Sequence, residues 1–250
     1  MTYDDVGDPG GAPVVYLHGG GDSRLSRHPD DSIAADLGVR LLAVDRCGPT
    51  VRGRTLRSCA AEVVSLLDDL GVSRAGVVGW SAGGPHALAL AVEAPDRIER
   101  VVLVSSLPPP HGARALPKDV RRVMRLARLS APLAARVLEA WGRKPTPPTG
   151  DPVTDAAYAR GRVEAFAHGG GWLARELAYL SRPWGFDPAE VRVPVALWWG
   201  DRDRVTPPSV AHEYADVLPA STLRIVDGAH QLLFGRWREI LADAAPGAPR

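Results

Sequence analysis

The feature that most constrains this chain is a run of five residues, Gly79-Trp80-Ser81-Ala82-Gly83, set between two patterns that need different backbones. Before it, the apolar stretch 75–80 has the character of a buried strand. After it, Pro85-His86-Ala87-Leu88-Ala89-Leu90-Ala91 is a good helix former. A chain passes from strand to helix this quickly only through a sharp, strained turn, and small residues at 79 and 83 let the two elements approach. Ser81 then stands at the apex, with a helix N-terminus aimed at any negative charge that develops beside it. A G-x-S-x-G pattern alone carries little weight, because a glycine-rich turn holds an incidental serine often enough. The strand–turn–helix setting is what gives it meaning.

The rest of the chain repeats the alternation. Apolar or β-branched runs at 14–18, 40–45, 75–80, 100–105, 193–199 and 222–226 predict strands. Helical patterns at about 56–71, 83–93, 207–217 and 231–244 fall between them. Such alternation predicts an α/β fold with a mostly parallel sheet flanked by helices. The interval from about 107 to 190 breaks it, opening on Pro108-Pro109-Pro110 and carrying arginine-rich helical stretches, then a helix over about 152–181. The expected organisation is a core of 1–106 and 191–250 with a small helical cap, 107–190, inserted after the strand at 100–105.

A serine hydroxyl becomes a nucleophile only beside a base, and the base needs an acid to orient it. In a sheet of this kind the chain order is serine, acid, histidine. Of the histidines after Ser81, His86 points from the elbow helix, His212 from a surface helix, and His111 and His168 belong to the insertion. His230 alone follows a predicted strand directly, at the ligand-binding edge. The strand at 193–199 runs into Gly200-Asp201-Arg202-Asp203, which makes Asp203 the favoured acid and Asp201 its rival. Ser105-Ser106-Leu107, after the strand before it, offers no carboxylate. An oxyanion needs two backbone N–H groups, assigned to Ala82 and to Gly20 of the loop His18-Gly19-Gly20-Gly21-Asp22. That loop lacks the Gly-Lys-Ser/Thr or G-x-G-x-x-G spacing of a phosphate loop.

Taken together these segments resemble the bacterial α/β-hydrolase superfamily, in particular small actinobacterial esterase-like hydrolases with a helical cap. The likeness is carried by Tyr16-Leu17-His18-Gly19-Gly20, by 42–48, by Gly79–Pro85, by Arg182-Pro183-Trp184-Gly185-Phe186, by 199–203 and by His230. It implies a cofactor-independent, metal-free serine hydrolase acting on a small ester, lactone or thioester, through Ser81, His230 and Asp203. A substrate held on an acyl carrier is a further option. Two other readings stay open: a tailoring enzyme (cyclase or acyltransferase) using the same residues, and a non-catalytic ligand-binding member of the fold. The sequence departs from the family pattern in three places. Gly21 and Asp22 replace the usual proline and glycine, 47–52 replaces the usual stretch after Asp45-Arg46, and the first hairpin and the cap look short.

Composition narrows partners more than substrate. A formal charge of +1 excludes a global case for nucleic acid or an anionic membrane. No apolar run approaches the roughly 20 residues of a membrane span, and the start MTYDDVGDPGG lacks signal-peptide character. A cytoplasmic monomer or homodimer is expected. Cys47 and Cys59 are the only cysteines, without metal-type spacing. Cys47 is either a pocket thiol or a small hydrophobe in a loop. Trp80, Trp172 and Trp184, with Trp141, are candidates for a hydrophobic pocket, ordinary packing being the alternative. Segment 114–144 sets nine cations against Asp119 and Glu139, either to steer anions or as the solvated side of amphipathic helices.

Overall fold

The computed structural model describes residues 1–46 and 53–247. Its frame is a seven-stranded sheet whose strands run in the order β1 (Tyr3–Gly7), β3 (Val39–Val44), β2 (Ala12–Leu17), β4 (Ala75–Trp80), β5 (Ile98–Val104), β6 (Val195–Gly200) and β7 (Ser221–Val226). Every pairing is parallel except β1 with β3. The central strands are mostly apolar, Glu99 and Arg100 at the start of β5 excepted, because both faces are covered, as a parallel sheet requires. Successive residues serve opposite layers. Val15 and Leu17 pack beneath α2 (Leu56–Asp69), α3 (Gly83–Glu93) and α8 (Pro208–Val217). Val14 and Tyr16 pack towards α1 (Ser32–Asp36), α9 (Leu232–Gly235) and α10 (Trp237–Ala244).

The strand at the N-terminus is the one the sequence pattern does not announce. Tyr-Asp-Asp-Val-Gly has no apolar run, and it forms a strand because it lies at the sheet edge with its acids outward. Two helices expected as continuous are divided. The stretch about 152–181 breaks at Phe166–Gly170 into α6 (Pro152–Ala165) and α7 (Gly171–Leu180), where Gly169 adopts φ +77°. The helix about 231–244 breaks at Arg236 into α9 and α10.

Between β5 and β6 the chain runs through a 3-10 turn (Pro110–Ala115), then α4 (Lys118–Leu129), α5 (Ala131–Gly142), α6 and α7. α4, α5 and α7 share an apolar cluster of their own, centred on Ala134, Leu138, Leu173 and Ala174. α4 is strongly amphipathic: Met124 and Ala127 are buried while Arg121, Arg122, Arg125 and Arg128 are exposed. No helix among the described residues is long and apolar enough to cross a membrane.

Burial in this frame sets what each apolar side chain contributes. Leu67 of α2 is fully buried and Leu129 at the end of α4 is 78% exposed. Leu67→Ala is expected to lower unfolding free energy by about 2–5 kcal/mol and Leu129→Ala by less than about 0.5 kcal/mol, as read from urea denaturation midpoints.

Candidate functional site

Ser81 follows β4 and precedes α3 by one residue, and its backbone is left-handed at φ +53°. Only one other non-glycine residue among those described, Ser105, shares that conformation. The turn is pinned by its main chain: Ser81 N–H donates to Val104 O at 2.9 Å, and Ser81 O accepts from Gly84 at 3.1 Å and Leu107 at 3.0 Å. The flanking glycines are sterically required. A Cβ at Gly79 would lie 2.7 Å from Gly83 O and 2.8 Å from the Ala87 methyl, and one at Gly83 would run into Leu17 O.

Three side chains meet above the turn. His230 Nε2 is 3.0 Å from Ser81 Oγ, and His230 Nδ1 is 2.9 Å from Asp203 Oδ2. All three residues are at least nine-tenths buried. Burial raises the Asp203 carboxyl, but His230 and the Thr206 amide outweigh it and hold it below its ordinary range. An ionised Asp203 accepts only, so Nδ1 carries the proton and Nε2 is left as acceptor for the serine hydroxyl. Asp201 lies elsewhere: it is exposed and accepts from the Gly228 amide at 3.0 Å.

Thr206 was not foreseen. The Val205 and Thr206 amides donate to Asp203 Oδ1 at 2.8 and 2.9 Å, and the Thr206 hydroxyl stands 3.0 Å from Oδ2 and 2.9 Å from Ser105 O. The sequence signal is Asp203-x-x-Thr206-Pro207, an aspartate turn closed just before a helix. Trp80 supports the histidine loop from below, its indole donating to His230 O at 3.0 Å.

A cavity of about 630 Å³ opens on Ser81 and is lined by Gly20, Ala82, Leu107 and by residues of α4, α5 and α7, among them Val123, Trp141 and Leu173. A Cβ on Gly20 would sit 3.3 Å from the Ala82 methyl, so the two assigned oxyanion residues face each other beside the serine. Of the tryptophans, Trp141 borders this cavity; Trp80, Trp172 and Trp184 do not. Trp172 packs in the helical cluster and donates to Ala165 O at 2.6 Å, and Trp184 sits in the main core against Phe186. Trp172 also borders a second cavity of about 610 Å³ with His18 and Asp22, whereas Trp80 and Trp184 are taken up in core packing. Cys47 and the 47–52 stretch lie outside the described residues.

Beneath the glycine loop is a buried charge cluster. Glu176 of α7 is fully buried and accepts from Arg46 Nη2 at 2.8 Å and from His86 Nε2 of α3 at 3.1 Å. Burial would raise the Glu176 carboxyl, but Arg46 and His86 hold it well below the usual carboxylate range. Arg46 Nη2 also reaches Gly19 O at 3.4 Å, where the His18 ring makes a 2.8 Å bond. Burial pushes both His18 and His86 down, keeping them neutral. Gly21, where the family pattern has proline, adopts φ +80°, which proline cannot reach. Asp22 is 4% exposed, and its Oδ1 has no hydrogen-bond partner among the described residues. Burial pushes its carboxyl up to about 6, against the opposing pull of Arg162 and Arg46.

Removing Glu176 would leave Arg46 charged in the interior. Glu176→Ala is therefore expected to cost about 3–5 kcal/mol of stability, with Glu176→Gln costing less, measured by denaturant unfolding. Asp22 gives a pH signature. Between pH 4 and about 6 the folded state keeps a proton that the unfolded state has lost, so stability falls as pH rises through that window. Asp22→Asn should then be more stable than the parent at pH 7, by on the order of 3 kcal/mol. The difference should vanish below pH 4 in the same melts, and equal pH slopes for the two proteins would refute it.

The family model described as the alpha/beta hydrolase fold matches residues 12–124, a span that takes in the glycine loop, β4 and the Ser81 turn. A magnesium-chelatase 30 kDa subunit from Rhodobacter capsulatus is 30% identical over 265 residues, covering 97% of this chain and 87% of that protein. A Caulobacter protein named as a carbamate hydrolase is 32% identical over 185 residues, covering 70% of this chain and 66% of its own length. Among solved structures, an enol-lactonase from Burkholderia xenovorans superposes with a TM-score of 0.74 at 21% identity, covering 97% of this chain and 94% of that one. Sheet order, the left-handed serine after β4 and full-length likeness agree: the chain belongs to the alpha/beta hydrolase fold family.

Proposed function

We propose that the protein is a serine hydrolase cleaving a carboxylic ester, lactone or thioester, with Ser81 as nucleophile, His230 as general base and Asp203 as the acid that orients it. The observation that carries the reading is the unbroken chain Ser81 Oγ, His230 Nε2, His230 Nδ1, Asp203 Oδ2, with contacts of 3.0 and 2.9 Å. His230 takes the serine proton as Ser81 attacks the carbonyl carbon, and returns it to the leaving group as that bond breaks. The Gly20 and Ala82 amides are the proposed oxyanion donors. Water, deprotonated by His230, then releases the acyl group from Ser81. That one relative carries the name of a carbamate hydrolase is consistent with attack on a carbonyl carbon.

Within this reading, residues 107–190 act as a cap. α4, α5 and α7 close the cavity above Ser81 and supply its apolar wall, which favours an acyl group without charge. The largely apolar lining also strengthens the electrostatic help an oxyanion receives.

A fluorophosphonate probe is expected to label wild type at Ser81 and to leave Ser81→Ala unlabelled, as read by mass spectrometry. Asp203→Asn keeps the shape but misorients the imidazole, and should lower kcat on an aryl ester by about three to four orders of magnitude. An unlabelled Ser81 in folded wild-type protein would overturn the assignment. Labelling without turnover of any ester or thioester would favour a tailoring or ligand-binding role instead.

A further inference from the structure

α4 has two working faces. Val120, Val123 and Met124 turn towards the Ser81 cavity. Arg121, Arg125 and Arg128 follow one another at helical spacing on the adjoining stripe. With Arg114 and His111 from the preceding 3-10 turn, they line a separate groove of about 600 Å³. The four arginines are exposed, and among the described residues none has a carboxylate partner or a side-chain hydrogen bond. Arg24, Arg40, Arg97 and Arg238 each hold an aspartate, and what sets the four apart from the other unpaired arginines is that they share one groove. Arg122 faces away from the groove and is simply solvated, as an amphipathic helix allows.

Guanidinium groups gathered around one concavity repel one another until an anion sits among them. Their planar forks suit phosphate oxygens, which several can grip at once. The groove also adjoins the cavity. Met124 lines both, and Leu107 of the cavity is followed directly by Pro108 of the groove. Met124 is thus the side chain that an arm reaching from Ser81 to the arginines would have to pass.

We propose that this groove binds the phosphate groups of the leaving group of an acyl thioester, whose acyl chain fills the Ser81 cavity. The substrate class is then an acyl thioester of a long-armed, phosphate-bearing thiol, a proposal that rests on the serine-hydrolase reading above. Ser81 Oγ bonds to the carbonyl carbon, the carbon–sulfur bond breaks, and the thiolate takes the proton held by His230. Water hydrolyses the acyl-serine, returning the proton to Ser81 and releasing the carboxylic acid.

The test separates binding from chemistry. Desulfo-coenzyme A, which carries the arm and phosphates but no thiol, is titrated calorimetrically into Ser81→Ala and into the same variant bearing Arg121→Ser, Arg125→Ser and Arg128→Ser. Saturable binding is expected in the first, weakened at least about tenfold in the second and weakened further by added salt. With Ser81 intact, kcat/KM for a butanoyl coenzyme A thioester should exceed that for butanoyl N-acetylcysteamine by about tenfold or more. The triple arginine variant should lose that preference while hydrolysing the neutral thioester as before. No saturable binding, equal binding by both variants, or binding of an acidic acyl carrier protein alone would each overturn the proposal. Fluorophosphonate labelling stands apart: binding intact with Ser81 unlabelled would sink the hydrolase reading and leave the groove standing.

Discussion

Everything in this molecule is arranged around a serine held in a backbone conformation that serine rarely adopts. A left-handed residue costs on the order of 1–3 kcal/mol, so the surroundings must over-determine it. They do so by close approach. Gly83 packs against the Leu17 carbonyl, Gly79 against the first turn of α3, and Gly84 against Ser106. None of these contacts tolerates a side chain. β2, β4, β5 and α3 are thereby locked in mutual position, and the ends of β2 and β5 fall on either side of Ser81. One carries the glycine loop, and the other carries Ser105, whose carbonyl anchors Thr206 and through it the turn around Asp203. The strain at 81 and the placement of the groups around it thus have one cause.

A second constraint ties the inserted helices to that centre. Glu176 comes from α7, Arg46 from the end of β3, and His86 from α3, so three elements share one buried charge cluster. A buried ion pair is a weak source of net stability, because desolvation offsets most of the attraction. What it does provide is register. With Glu176 seated, Leu173 one turn earlier and Leu177 on the next step of α7 are both fixed as walls of the Ser81 cavity. Arg46 extends the same constraint to the Gly19 carbonyl, at the base of the loop that offers Gly20 to the serine.

How much of this was legible depended on whether a residue's role was local. The alternation of βα units, the Ser81 turn and the choice of His230 all rest on short-range pattern, and residues as far apart as 81, 203 and 230 come together because each follows the C-terminal end of its own parallel strand. Thr206 was hidden because a threonine three residues after an aspartate is common, and its importance lies in Ser105, 101 positions away. The Glu176 cluster was hidden for a like reason: nothing in a glutamate on a helical pattern says that an arginine 130 positions away will be buried with it. β1 was hidden because edge strands use acids and not apolar runs to stay unpaired on one side. The tryptophans illustrate the converse. Trp80, Trp172 and Trp184 look alike in sequence, yet one braces His230, one packs the inserted helices and one fills the main core.

The arginines of α4 show where composition misleads and geometry corrects. Nearly all the basic residues of this chain are arginine, Lys118 and Lys144 being the exceptions, so an arginine-rich helix is unremarkable on composition alone. The structure distributes these side chains unequally. Arg24, Arg40, Arg97 and Arg238 hold aspartates, whereas those at 114, 121, 125 and 128 converge on one groove without a carboxylate partner among the described residues. The same helix presents Val120, Val123 and Met124 to the cavity beside Ser81, so a single amphipathic element borders a largely apolar compartment, with Asp119 and Lys144 in its lining, and a cationic one. Under the proposed reading, a substrate made of an apolar acyl group and a polyanionic leaving group would span that boundary, with its acyl part beside Ser81 and its anionic part among the arginines.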